Sequence, residues 1–173
     1  MSTEPRPADS DSTEGMPVIT DGCRQCGYVP RDVSKAERRL AYLPERWSKV
    51  LERQNAAMRP QNGAWSPVEC GCYSRDLIRV LGERIGLILG GERPTFASDD
   101  GEAEAVNSRF WEAEPDELAQ WVAVESERTI FTYQRVTDAD CEREGLRGDG
   151  KAKTIVDLSR YVLHDLRTPP CGR

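Results

Sequence analysis

Apolar residues recur at helical spacing in four stretches of the chain, and no segment alternates clearly enough to read as a strand. The first stretch runs from about Ser34 to Arg59 and carries Leu40, Leu43, Trp47, Val50 and Leu51. Pro44 falls inside it. Proline lacks the backbone donor and crowds the preceding turn, so a kink near Leu43, or a new helix starting at Pro44, is expected. The second stretch is the best marked. Ser66 is a good N-cap, Pro67 takes the first helical position, and Glu69 completes a Ser-x-x-Glu capping box. Leu77, Leu81, Ile85 and Ile88 follow as a stripe, and Gly90-Gly91 marks the end.

Asp99-Asp100 can cap a short helix over Glu102 to Phe110. Glu114-Pro115 opens a third long helix, whose inner face is marked by Leu118, Trp121, Val122, Ile130 and Phe131; Trp47, Trp111 and Trp121 are expected in the core. Residues 137–141 read as a single turn. The glycine-rich run Gly145 to Gly150 lacks the Lys-Ser or Lys-Thr ending of a phosphate loop. The last helix starts at Thr154 as N-cap and carries Ile155, Leu158, Tyr161, Val162 and Leu166. Four main helices with short connections predict an all-α, antiparallel four-helix bundle.

Composition narrows the functional classes. A chain of 173 residues is long enough for one core, and 31% charged against 38% hydrophobic residues is a globular balance. Residues 1–21 are mostly Ser, Thr, Asp, Glu and Pro and read as a disordered acidic tail; residues 22–173 are expected to form the bundle. The net charge of −6 argues against binding nucleic acid by neutralising phosphates. No apolar run approaches a membrane span, and no signal peptide opens the chain, so a cytoplasmic protein is expected. In that setting the 6 cysteines read as thiols or ligands rather than disulfides.

Cys23-Arg-Gln-Cys26-Gly offers half a zinc knuckle, a reactive thiol pair, or an ordinary turn. Cys70 and Cys72 lie two apart on the second helix and point about 200° from each other, so they do not share a metal easily. His164 is the single histidine, which rules out a two-histidine site within one chain.

The wording Trp65-Ser-Pro-Val-Glu-Cys-Gly-Cys-Tyr-Ser-Arg-Asp76 resembles the second-helix opening of DinB-like proteins, especially the small actinobacterial type. That family includes the metal-binding domain of mycothiol-dependent maleylpyruvate isomerase. The resemblance covers roughly residues 23–167, with its strongest parts at 65–80 and 145–166. It implies a DinB-like four-helix bundle holding zinc or nickel on three histidines, one from the second helix and two from a His-Asp-x-x-His motif on the last. Such a metal lowers the pKa of a bound water or thiol. Here the three positions are Tyr73, His164 and Thr168, and Arg75 with Asp76 would stand at the cavity edge or form an ordinary charge pair.

The family wording continues with His-His-Leu where this chain has Thr168-Pro-Pro-Cys-Gly-Arg173, so its last helix looks truncated. One choice of synonymous codons for these six residues, read one base later, gives His-His-Leu-Ala-Asp. A frameshift at or just after Arg167 is therefore a hypothesis that the DNA sequence would decide.

Two functions follow. One is a degenerate bundle that has lost the metal site and serves as a non-catalytic binding or structural module. The other is a divalent-metal-dependent transferase, isomerase or hydrolase acting with a small thiol of the mycothiol kind on a small-molecule substrate. A homodimer is compatible with either.

Overall fold

The amphipathic pattern becomes helices in the computed structural model, which describes residues 20–22, 27, 29, 36–61, 63–98 and 100–166. Of the expected acidic tail, only Thr20 and Asp21 fall among these residues. From Ala36 onward the described residues form five α-helices: α1 (Ala36–Leu51), α2 (Pro67–Gly90), α3 (Gly101–Asn107), α4 (Pro115–Tyr133) and α5 (Ile155–Asp165). Three short strands accompany them, β1 (Thr95–Phe96), β2 (Glu144–Arg147) and β3 (Ala152–Thr154).

The helix starts follow local chemistry. Ser66 accepts from the Glu69 amide, and the Glu69 carboxylate accepts in return from the Ser66 amide at 2.9 Å. Thr154 and Asp157 form the same box at α5, and Asp100 caps α3 by accepting from the amides of Glu102 and Ala103. These are the caps expected from sequence. Pro44 does not break the first helix; α1 runs through it and ends at Leu51 rather than near Arg59, in a series of turns up to Met58. Burial of Leu40, Leu43, Trp47 and Leu51 on one face holds α1 together across the proline.

The connections depart further from expectation. Arg84 donates to the Ala97 carbonyl and lies over the Phe96 ring, while Gly101 lies against Tyr73. The segment after α2 thus runs back along that helix. As a result α4 starts at the same end of the bundle as α2, and the two run parallel: Gly71 meets Leu118, and Gly82 meets Thr129. A Cβ on Gly82 would come within 2.5 Å of Thr129 Oγ1, so the close approach of the two helices depends on that glycine. Thr129 also donates to the Ile78 carbonyl at 2.9 Å. The antiparallel expectation therefore holds only in part. Trp47 lies against Gly71, Ala56 bonds Val68, and Tyr73 meets Asp165, so α1 and α5 run opposite to α2.

The all-α expectation is also corrected. β1 pairs parallel with β2, and β2 pairs antiparallel with β3. The strands have two to four residues, too few for an alternating pattern to read, and β1 takes its register from the distant β2. The core joins Leu40 and Trp47 of α1, Ile78, Leu81 and Ile85 of α2, Val122 of α4 and Ile155 of α5.

Trp47 is in the core as expected, but Trp111 is half-buried and Trp121 is 50% exposed. Phe131, expected on the inner face of α4, is 67% exposed. The face that α4 buries is Leu118, Val122, Glu125, Ser126, Thr129 and Tyr133, and Trp121 and Phe131 belong to a different side. The apolar residues of this helix fall on two sides, which a single-stripe reading merges.

Candidate functional site

The residues at the expected ligand positions come together where α2 begins and α5 ends. Tyr73 sits in the second turn of α2, and His164 and Asp165 close α5. The Tyr73 hydroxyl donates to Asp165 Oδ2 at 3.2 Å. His164 Nδ1 lies 2.9 Å from Asp165 Oδ1. A carboxylate accepts, so Nδ1 carries the proton, and the contact fixes the orientation of the imidazole. Asp165 thus binds the phenol with one oxygen and the imidazole with the other. His164 is buried, and Asp165 is largely so.

The surroundings fit a tyrosine. The Trp65 ring meets the Tyr73 ring edge-on at 5.7 Å and packs against Phe110 at 6.4 Å. Gly101 opens α3 against the other side of Tyr73, where a Cβ would fall 2.5 Å from the ring. Arg75 pairs with Asp76 at 2.9 Å and 3.0 Å and lies over Phe110, 5.8 Å from the ring centre. The pair is therefore half-buried and packed beside the cluster. Sequence reasoning named Tyr73 and His164 but missed the joining role of Asp165, which depends on a contact between helices. Gly101 was missed as well, because its small size matters only once the Tyr73 ring lies against it.

The cluster suits hydrogen bonding better than metal binding. A phenol that donates its proton is not a phenolate ligand, and both Asp165 oxygens are engaged. Among the described residues, no group of three or more His, Cys, Asp or Glu side chains is placed to hold a metal ion. A three-nitrogen site cannot be assembled from one histidine. The described residues therefore do not fit the divalent metal that the resemblance implied. Thr168, Cys23 and Cys26, the other candidate ligands, lie outside the described residues.

The cysteines of α2 go separate ways, as their spacing required. Cys70 is disulfide-bonded, which corrects its reading as a thiol or ligand. Cys72 and Cys141 are thiols. Cys72 faces the Phe110 carbonyl, and burial pushes its thiol up to about 11, leaving it a poor nucleophile at neutral pH.

Glu69 and Arg59 brace the start of α2 beneath this cluster. Arg59 Nε lies 2.9 Å and 3.1 Å from the two carboxylate oxygens, and its Nη2 donates to the same group. Burial alone would raise the Glu69 pKa. The bonds from Arg59 and Ser66 outweigh burial and hold it below the ordinary 4.5.

A separate groove of about 580 Å³ lies between α1 and α5. Among the described residues, Leu43, Leu163 and Leu166 give it an apolar lining, and Arg39 and Arg46 contribute positive charge. None of the described helices is long and apolar enough to cross a membrane.

Two solved structures share the fold. YfiT from Bacillus subtilis, described as a probable metal-dependent hydrolase with an unusual four-helix bundle topology, superposes with a TM-score of 0.66 at 19% identity, over 79% of this chain and 85% of that one. Mycothiol-dependent maleylpyruvate isomerase superposes with a TM-score of 0.57 at 13% identity, over 82% of this chain and 61% of that one. No protein-family model and no curated protein sequence matches the chain. The chain therefore shares the fold of these two structures, the first of which is described as a four-helix bundle.

Proposed function

We propose that this DinB-like chain is a non-catalytic binding or structural module, in which a hydrogen-bonded cluster stands where the related enzymes gather metal ligands. The observation that carries this reading is Asp165, which binds Tyr73 at 3.2 Å and His164 at 2.9 Å. Trp65 and Gly101 wall the cluster. Metal chemistry would need the tyrosine to lose its proton and Asp165 to give up a partner. An unperturbed phenol loses its proton only near pH 10, so neutral conditions favour the hydrogen-bonded arrangement.

Metal-dependent chemistry with a small thiol is the alternative that the two similar structures bring with them. Both are described as enzymes, one of them metal-dependent and the other mycothiol-dependent. Folds carry many activities, however, and the residues at the site decide between them. As a binding module, the chain would use the groove between α1 and α5. Its leucine lining, with Arg39, Arg46 and the Lys49–Glu45 pair, is net positive and suits a small organic anion.

Equilibrium dialysis against zinc and against nickel, followed by elemental mass spectrometry, tests the proposal. The chain is expected to retain far less than one ion per molecule, by either metal, after the free metal is removed. One ion per chain, lost in His164→Ala, would overturn it.

A further inference from the structure

The side of α4 that faces solvent carries a second, regular pattern. Glu117, Trp121, Val124, Arg128 and Phe131 follow one another at alternating steps of four and three, and Arg135 stands at the next step in the turn just beyond the helix. That is the spacing of a coiled-coil seam, here on the outside of the bundle. It lies roughly 130° around the helix from the buried face, at 3.6 residues per turn. Trp121 is 50% exposed, Val124 36% and Phe131 67%. A tryptophan and a phenylalanine this open on one helix face are unusual for a surface with no partner.

The charges along the seam are self-complementary. Asp116 and Glu117 lie at its start, and Arg128 and Arg135 toward its end. We propose that a second copy of this chain packs on this face, with the two α4 helices antiparallel about a two-fold axis level with Ser126. Each residue then meets the one equally distant on the other side of the axis. Glu117 faces the partner's Arg135, Trp121 faces the partner's Phe131, and Val124 lies along the stem of the partner's Arg128. The Arg128 head group stays beside its own Glu125, 3.1 Å away. A parallel pairing would instead set Glu117 on the partner's Glu117 and Arg128 on the partner's Arg128. One patch serves both copies, as an isologous interface requires. From Glu117 to Phe131 the helical seam is about 21 Å long, and its two aromatic contacts would be the anchors of the interface.

Sedimentation equilibrium on the full chain, over a dilution series, tests this. The unaltered chain should have the mass of two copies and dissociate on dilution. Phe131→Glu and Trp121→Glu should each weaken association by roughly tenfold or more, with helical content and melting of the single chain unchanged, because both side chains are exposed. Glu117→Arg should weaken it, and adding Arg135→Glu should restore it. A single-copy mass at every concentration would overturn the proposal, as would a dimer indifferent to Phe131→Glu. A Glu117→Arg/Arg135→Glu chain that stays as weak as Glu117→Arg would overturn the antiparallel alignment.

Discussion

The two ends of the bundle are closed by different means. At the end where α2 begins, closure is made by side chains: Tyr73, Asp165 and His164 bond one another, the rings of Trp65 and Phe110 pack around them, and Arg59 neutralises the buried Glu69. At the other end, closure is made on the main chain. Arg143 donates to the carbonyls of Leu89 and Gly91, at 3.4 Å and 2.9 Å, where α2 runs out of internal partners. Its own carbonyl accepts from the Ile155 amide at the start of α5. The second device serves any bundle that must finish a helix. The first depends on particular side chains, Tyr73 and Asp165, at the place where the motif resemblance implied metal ligands. The contrast sets a closure made by a few specific side chains against one made on the main chain.

Substitutions at each end separate the two kinds of closure. The largest effect is expected for Glu69→Ala, which removes the capping carboxylate and leaves Arg59 without its partner there. The cost should be about 3–5 kcal/mol, read from urea unfolding. Arg143→Met removes the clamp at the far end and should cost about 1–3 kcal/mol, because the freed carbonyls can recover some solvent contact. If Arg143→Met proved the more damaging, the ranking of the two ends would be reversed.

Acid should separate them more gently. Glu69 is held below its ordinary 4.5, so the stability it contributes is complete above that pH and is lost as pH falls through its lower folded value. Asp140, bonded first by the Thr137 hydroxyl and amide and then by Arg143, is lowered from 3.8 to about 2, so its contribution is complete above 3.8 and is lost as pH falls toward 2. The fall in stability below pH 4.5 should be smaller in Glu69→Gln than in the unaltered chain. The smallest effect is expected for Tyr73→Phe. It removes one half-buried hydrogen bond while keeping the ring, and should cost about 1 kcal/mol or less. A large loss would mean that the cluster carries more of the fold than its geometry indicates.

The helix starts, which depend on near neighbours, were legible in the sequence, although the effect of Pro44 inside α1 was not. Ser66 with Glu69, Thr154 with its stripe, Asp100, and the proline at the start of α4 all act within one helical turn, and the structure uses each as expected. The parallel course of α2 and α4 was not legible. It depends on a return segment whose path is set by contacts such as Arg84 with the Ala97 carbonyl, 13 residues along the chain. The sheet was hidden for the same reason, since Thr95 takes its register from Leu146. At the site, the resemblance identified Tyr73 and His164 as positions of interest. Asp165 could not be assigned its role until α5 was known to end beside α2. On α4, composition gave the apolar residues but not the division into two faces, which needs the neighbours on one side to be known.

Because His164 is the only histidine, its ring nitrogens can be followed by NMR without assignment ambiguity in an untagged, nitrogen-15-labelled chain. The account predicts that Nδ1 carries a proton, that its signal moves in Tyr73→Phe because Asp165 is shared, and that neither ring nitrogen responds to a stoichiometric addition of zinc. A shift of the Nε2 signal that saturates at one zinc per chain would contradict it, and would make the cluster a metal site after all.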